Sequence, residues 1–304
     1  MGILKLMTNI LILGKNGQVG DALQKVFDSE TQCHAFDSKE CDLTNEKKLR
    51  KLIQEIKPQI IINAAAYTAV DHAESDEVGA YKVNARGPQI IGEEATTVGA
   101  SVIHFSTDYV FDGKKKSPYK ETDKTNPLSV YGSSKLQGEK LLMQACTESI
   151  IIRTSWVVSD HGQNFLKTML KLAHERDVLR VVSDQVGVPT SAHLLADVMK
   201  MLVTQLCHGD RKSFPFGIYH VAPSGQTNWF EYAKFVIGKA MELGDTFRVT
   251  PDMVHSITTH DYPTPAKRPL NSRLETSLFE KQFSMTLPPW EEGVFAIIRA
   301  LYKG

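Results

Sequence analysis

The sequence predicts an α/β protein in which a doubly wound parallel sheet is covered by helices on both faces. Three observations carry that prediction: short runs apolar at every position, amphipathic stretches alternating with them, and a glycine-spaced turn where the first run ends. Asn9-Ile10-Leu11-Ile12-Leu13 is that first run; it stops at Gly14, and Gln18 to Phe27 follows with Val19, Leu23, Val26 and Phe27 at helical spacing. The alternation continues with Thr31 to Asp37 as a strand, Asn45 to Ile56 as a helix, Gln59 to Asn63 as a strand, and a helix around Glu77 to Val98. Ser101 to Ser106 reads as a strand, a helix carries Tyr131, and Ile150-Ile151-Ile152-Arg153 is another strand.

Beyond about Trp156 the pattern is less regular. A helix from Asn164 to Glu175 precedes an extended Val178 to Val182, a helix from Leu194 to Leu206, a strand from Gly217 to Val221 and a helix from Trp229 to Leu243. The expected organisation is a dinucleotide-binding domain over residues 1–157, with 188–224 returning to it. A smaller, discontinuous C-terminal substrate domain is expected from 158–187 and 225–304 together with the Pro-rich Asp261 to Pro269. No internal repeat or low-complexity tract interrupts this plan, and Lys114-Lys115-Lys116 reads as a solvated loop.

Composition narrows the function. Of 304 residues, 42% are hydrophobic and 23% charged, enough for a large buried core. Lys plus Arg equals Asp plus Glu at 35 each, so no global field recruits nucleic acid or an anionic membrane, and any phosphate binding must be local. Cys33, Cys41, Cys146 and Cys207 are scattered without a C-x-x-C pair, the usage of reduced thiols in the cytoplasm. Residues 1–7 are too short for a signal sequence and lack the myristoylation hydroxyl, and no apolar run approaches the roughly 20 residues of a membrane helix. A cytoplasmic protein is the expectation.

The first turn spaces its glycines as G-x-x-G-x-x-G. Gly14 ends the strand, Gly17 allows close backbone approach, and Gly20 lies inside the following helix, so a pyrophosphate can rest on the helix N-terminus beside Gln18 and Val19. This is the Rossmann-type arrangement. Asp37 closes the second strand, where a carboxylate can bond a ribose hydroxyl and disfavour a 2′-phosphate; Ser38 and Lys39 follow at once and can accept that phosphate, so residue type alone leaves NAD and NADP both open. Asp42 and Leu43 are placed to flank the adenine, and Asn63-Ala64-Ala65-Ala66 has side chains small enough to run beneath a cofactor or to pack helix on sheet.

Tyr131 and Lys135, four apart in Val130-Tyr131-Gly132-Ser133-Ser134-Lys135, fall on one helix face. The ammonium is expected to lower the phenol pKa from about 10 and to poise a proton donor, and Tyr131 and Lys135 are also expected to contact the cofactor, Lys135 holding the nicotinamide ribose. Phe105-Ser106-Thr107-Asp108-Tyr109 leaves a strand at its C-terminal end, the ligand side of open α/β sheets, so Thr107 is the natural third partner on a substrate carbonyl. The chemistry expected is hydride transfer coupled to proton donation.

These segments resemble the extended short-chain dehydrogenase/reductases and, within them, the dTDP-4-dehydrorhamnose reductases. The likeness rests on Gly14 to Gly20, Asn63 to Asp71, Ser106 to Phe111, Tyr131 to Lys135, Arg153-Thr154-Ser155-Trp156 and Tyr262 to Pro269, spanning almost the whole chain. The resemblance implies reduction of the C4 ketone of dTDP-4-dehydro-β-L-rhamnose, the last step in making that sugar donor, with Thr107, Tyr131 and Lys135 as the catalytic three. It implies cofactor contacts at Gly17, Gln18, Val19, Asp37, Asp42, Leu43, Ala66, Tyr67 and Thr68, and sugar-nucleotide contacts at Thr107, Asp108 and Trp156, with Val70, Tyr109, Asn164 and Arg268 around them. Trp156 offers a flat apolar wall and Arg268 a fork for a diphosphate. NADPH is the expected cofactor, with NADH also accepted. Mg²⁺ is described for some reductases of this group, but the sequence shows no local cluster of oxygen ligands at such spacing.

Two rival readings share the fold. A dehydratase would follow the catalytic Thr with Asp-Glu and an epimerase-reductase would add a Cys, whereas Thr107-Asp108 is followed by Tyr109. A non-catalytic subunit, like the regulatory partner of methionine adenosyltransferase, would not need Thr107, Tyr131 and Lys135 intact. The partners expected are a dTDP-sugar, with neither nucleic acid nor membrane, and a homodimer is compatible with the sequence, which carries no interface pattern.

Overall fold

A computed structural model describes residues 8–27 and 31–302; the N-terminal segment 1–7 discussed above lies outside the described residues. Six strands form one parallel sheet: β1 (Thr8–Leu13), β2 (Thr31–Phe36), β3 (Ile60–Asn63), β4 (Ser101–Thr107), β5 (Ser149–Thr154) and β6 (Gly217–His220), in the order β6-β5-β4-β3-β1-β2. The order reverses between β1 and β3, and the crevice at such a switch point is where open α/β sheets take their ligands.

The four inner strands β1, β3, β4 and β5 are buried on both sides because each side has its own core. Ile10, Ile12, Ile62, Ile103, Ile150 and Ile152 face one layer, which includes the helices Gln18–Val26 and Ala192–His208. Leu11, Leu13, Ile61, Val102 and Ile151 face the other, built from the helices Glu46–Ile56, Gly87–Val98 and Val130–Ala145. The period-2 alternation of side chains turns one continuous apolar run into two cores.

The helix expected over Glu77 to Val98 runs without interruption but widens in its middle. An α-turn at Glu77–Tyr81 passes through a π-turn at Lys82–Arg86 into the helix Gly87–Val98. Pro88 explains the widening: it has no N–H to give to Asn84, four residues earlier, and its ring crowds that carbonyl. The displaced Asn84 carbonyl points at the Val130–Ala145 helix, where a Cβ on Gly138 would lie 1.9 Å from the oxygen.

Val158, Leu166, Leu170, Val188, Tyr232, Val236, Trp290, Val294 and Ile297 form a second apolar cluster with the helices Phe165–Glu175, Trp229–Glu242 and Trp290–Leu301. A parallel pair, Leu179–Val182 with Val254–Ile257, borders it. Not all of residues 225–304 gather there: Phe279, Phe283 and Leu287 pack into the sheet's own core beside Tyr219. A boundary drawn at residue 225 does not describe that packing, because the periodicity of a short helix does not say which core its apolar face joins. No described helix is long and apolar enough to cross a membrane.

Candidate active site

Gly14 has φ +94°, and a Cβ on it would lie 2.7 Å from the Ala65 nitrogen, so only glycine lets the end of β1 run against the segment leaving β3. A Cβ on Gly20 would sit 2.1 Å from the Gly14 oxygen, which fixes the approach of helix to strand. Gly17 differs from both: its Cβ position meets only the Gly14 oxygen at 3.4 Å, and no side chain caps the helix that it begins. The turn therefore presents bare backbone and a positive helix end toward the switch point, a fit for a dinucleotide pyrophosphate. Val19 packs on the sheet core, and Gln18 reaches the other way, donating from Nε2 to the Val157 carbonyl at 3.3 Å.

Asp37 stands just past β2. Its carboxylate accepts Asn16 Nδ2 at 2.6 Å, Lys39 N at 2.9 Å and Glu40 N at 3.0 Å, and these bonds, led by that of Glu40, hold it below the usual carboxylate range. Lys15 pairs with Glu40 at 2.6 Å, while Ser38 and Lys39 are exposed beside them. Leu43 is buried against Gly87, and Asp42 is exposed, its carboxylate accepting the Thr44 N–H at 2.8 Å. Ala65, Ala66, Tyr67 and Thr68 run outward from β3, and Tyr67 is tied by its backbone to the Asn84 amide at 2.8 Å and 3.1 Å.

Thr107 ends β4. Ser129 caps the Val130–Ala145 helix by accepting the Gly132 N–H at 3.2 Å, which sets Tyr131 in the first turn and Lys135 one turn on. Gly132 lies so close to the Thr107 loop that a Cβ would come 2.2 Å from the Tyr109 carbonyl oxygen. The Tyr131 ring meets the Tyr109 ring edge-on, with centroids 5.4 Å apart. Here the sequence expectation is overturned. Enclosure by protein pushes the Tyr131 phenol up to about 12, Asp108 adds to the rise, and a hydrogen bond with Thr107 opposes it. Desolvation outweighs whatever the ammonium contributes, and spacing along a helix carries no information about desolvation.

Lys135 is itself buried, and loss of hydration lowers it to about 8 against an opposing pull from Glu139. Its ammonium donates to the Phe105 carbonyl at 2.6 Å and lies 3.1 Å from His104 Nε2. Asp108, beside Thr107, is fully enclosed and raised to about 6 by burial, with Thr107 and Ser272 pulling the other way; Thr107 Oγ1 donates to its Oδ1 at 3.1 Å. The helix is anchored by a buried pair, Arg153 to Glu139 at 2.7 Å, and Ser106 donates to the same carboxylate at 2.5 Å.

Trp156 follows β5 with φ +44°, a conformation that non-glycine residues adopt at a cost, and its ring lies over Gly187, where a Cβ would meet it at 2.6 Å. Trp229 stacks on it at 3.7 Å between centroids and 18° between planes. Two indoles thus form one wall. Trp229 escaped the sequence reading because it also fits the helix periodicity.

Arg268 does not present an open fork. It grips Asp71 at 2.8 Å and 3.2 Å, closing the loop over the short helix Val70–Ala73, and Tyr109 lies within its field. Asn164 is a helix cap whose side chain accepts Lys167 N and donates to Gln18 Oε1 at 2.9 Å and to the Ser159 carbonyl at 2.7 Å. It links the glycine turn to the second cluster. Val70 is half-buried at the start of its helix. Among the described residues no group of three or more His, Cys, Asp or Glu is placed to hold a metal ion, so Mg²⁺ has no support here.

A glycine turn at the switch point of a doubly wound parallel sheet, with Tyr-x-x-x-Lys on the crossover from β4 to β5 and a hydroxyl at the end of β4, is the architecture of the short-chain dehydrogenase/reductases. Residues 7–303 match the family described as RmlD substrate binding domain. The chain is 43% identical to a dTDP-4-dehydrorhamnose reductase of Escherichia coli over 97% of its length and 98% of the relative's. A dTDP-4-dehydrorhamnose reductase of Clostridium acetobutylicum superposes with TM-score 0.88 at 37% identity, covering 96% of this chain and 99% of that one. That of Bacillus anthracis, solved in complex with NADP, gives 0.87 at 35% identity over 97% and 100%. The chain belongs to the dTDP-4-dehydrorhamnose reductase family.

Proposed function

We propose that the protein reduces the C4 ketone of dTDP-4-dehydro-β-L-rhamnose to the alcohol of dTDP-β-L-rhamnose, using NADPH by preference and NADH as a substitute. The observation that carries this reading is the meeting of Thr107, Tyr131 and Lys135 at the end of β4, in a chain that matches the reductases over 97% of its length. When bound, the nicotinamide supplies the hydride. Tyr131 gives its proton to the ketone oxygen, and a phenol at about 12 is fully protonated at neutral pH, the state a reduction needs. Thr107 holds the same oxygen by hydrogen bond, and the Trp156–Trp229 wall excludes water from the deoxysugar. The Asp37 carboxylate is already engaged by Asn16, Lys39 and Glu40, which favours a role in shaping the turn over capture of a ribose hydroxyl. Ser38 and Lys39 stand ready for a 2′-phosphate.

The test is oxidation of NADPH on addition of the dTDP-4-keto-6-deoxyhexose, with the sugar product identified by NMR. Tight NADPH binding without turnover would make this a binding subunit and reject the reading.

A further inference from the structure

Lys135 does not face open solvent or a carboxylate; its nearest titratable neighbour across the sheet is a histidine. His104 lies on β4, in register with Asn63 on β3, and both side chains turn toward the Val130–Ala145 helix. His104 is wholly buried, as is Asn63. The Asn63 amide orientation is fixed because its Oδ1 accepts the Ala65 N–H at 3.1 Å, so its Nδ2 donates to His104 Nδ1 at 2.9 Å. A neutral imidazole carries one N–H. With Nδ1 accepting, that proton sits on Nε2, 3.1 Å from Lys135 Nζ.

Two donors then face each other whenever Lys135 is an ammonium. As a neutral amine Lys135 accepts from His104 and still donates to the Phe105 carbonyl, so the contacts from Asn63 through His104 and Lys135 to Phe105 each pair a donor with an acceptor. As an ammonium it forces the imidazole to change tautomer, which would turn the Asn63 amide and break its bond to Ala65 N. Glu139, one turn along the same helix, favours the charged form, but Arg153 and Ser106 already occupy it. Tyr131, Asp108 and Tyr109, with the Arg268–Asp71 pair beyond Tyr109, are the other ionisable groups at this end of the site.

We propose that His104, locked in its Nε2–H tautomer by Asn63, is a positioning residue that sets the protonation balance of Lys135 and so the alkaline limit of turnover. This rests on the reductase reading above. Burial alone already drives His104 and Lys135 toward their neutral forms, and the hydrogen-bond chain acts in the same direction.

The experiment has two arms on the full-length protein. In the first, the imidazole ¹⁵N shifts of the wild-type protein report the His104 tautomer with no substrate present. The proposal requires a pyridine-like Nδ1 and a protonated Nε2, and the reverse assignment overturns it. In the second, kcat against pH is compared for wild type, His104→Gln and Asn63→Asp. Glutamine offers Lys135 a carbonyl, and aspartate draws the imidazole proton to Nδ1, so each turns an acceptor toward the ammonium. Both variants should move the alkaline limb up by about one pH unit or more, roughly tenfold in proton affinity. Limbs that stay in place while the plateau falls would mean a merely structural pair and overturn the proposal. Loss of turnover in the wild type itself would instead count against the reductase reading, leaving the tautomer result to stand alone.

Discussion

Substituting Gly132 by alanine isolates the geometry of the acid from its chemistry. An alanine inside an exposed helix would add about 0.5–1 kcal/mol of stability. Here its Cβ would fall 2.2 Å from the Tyr109 carbonyl oxygen, against an ordinary C···O approach of roughly 3.3 Å. Either the Tyr109 loop or the first turn of the Tyr131 helix must retreat by about 1 Å, and the cost of such overpacking, roughly 1–3 kcal/mol, exceeds the helix gain. Both movable parts carry the site: Thr107 lies two residues before Tyr109, and Tyr131 is adjacent to Gly132. A misplacement of about 1 Å costs on the order of 100-fold in rate. Gly132→Ala should therefore lose about two orders of magnitude in kcat and melt a few degrees lower, while NADPH affinity, which the proposed reading places at the Gly14–Gly20 turn, holds. Steady-state kinetics, a melting curve and a fluorescence titration of NADPH measure the three quantities. A variant with near-normal kcat would refute the claim that this backbone contact sets the placement of the acid.

Four further outcomes are expected. Tyr131→Phe keeps the ring against Tyr109 but removes the proton, so kcat should fall about 10²–10⁴-fold with NADPH affinity unchanged in the same titration. Trp156→Ala strips one indole from the wall and should raise KM for the sugar nucleotide up to roughly tenfold, with Trp229 fluorescence reporting the unstacking. The Arg268–Asp71 pair is partly exposed, so Asp71→Asn should shift stability by no more than about 1 kcal/mol; if Arg268 also reaches a diphosphate, Arg268→Met must raise KM far more than Asp71→Asn, and equal effects would restrict the pair to closing the loop. His220, buried and lowered to about 3 chiefly by desolvation and next by Arg153, stays neutral in the fold while the unfolded chain protonates near 6.5. The unfolded state thus binds more protons below about pH 6.5, stability falls as pH drops toward 3, and His220→Gln should flatten that stretch of a melting-temperature profile.

The inner strands β1 and β3 to β5 were legible because they are buried on two sides and needed only their apolar runs. The π-turn was not: Pro88 signals a disturbance, but whether the chain stops, kinks or widens there depends on Gly138 accepting the displaced Asn84 carbonyl. At the site, glycine spacing told where backbone must pass close to backbone, and the structure brings the Gly14–Gly20 turn, Thr107 and Tyr131 to the same edge of the sheet. What the spacing could not carry was environment. Tyr131 moved in the opposite direction to expectation because a four-residue interval fixes neighbours on a helix and says nothing of desolvation. Arg268 read as an open fork because its partner, Asp71, is far away in the chain. His104 sat unremarked inside an apolar strand, where alternation marks a face but not the group that waits across it.

The two perturbed ionisations become coherent when taken as a pair. A phenol that has given its proton to a ketone is left as a phenolate whose conjugate acid lies at about 12, in a site whose amine lies at about 8. On the reading proposed above, an ammonium at about 8 would yield its proton readily to a phenolate whose acid lies at about 12, so Lys135 would restore the acid after each turnover; in the structure its Nζ is bonded to the Phe105 carbonyl and lies against His104. Had the ammonium instead lowered the phenol toward its own value, that gap would vanish. Burial of both groups opens the gap by acting with opposite sign on an acid that becomes charged on losing a proton and a base that becomes charged on gaining one. The donor-to-donor contact with His104 widens it further, because it loosens the hold of Lys135 on the proton that must move.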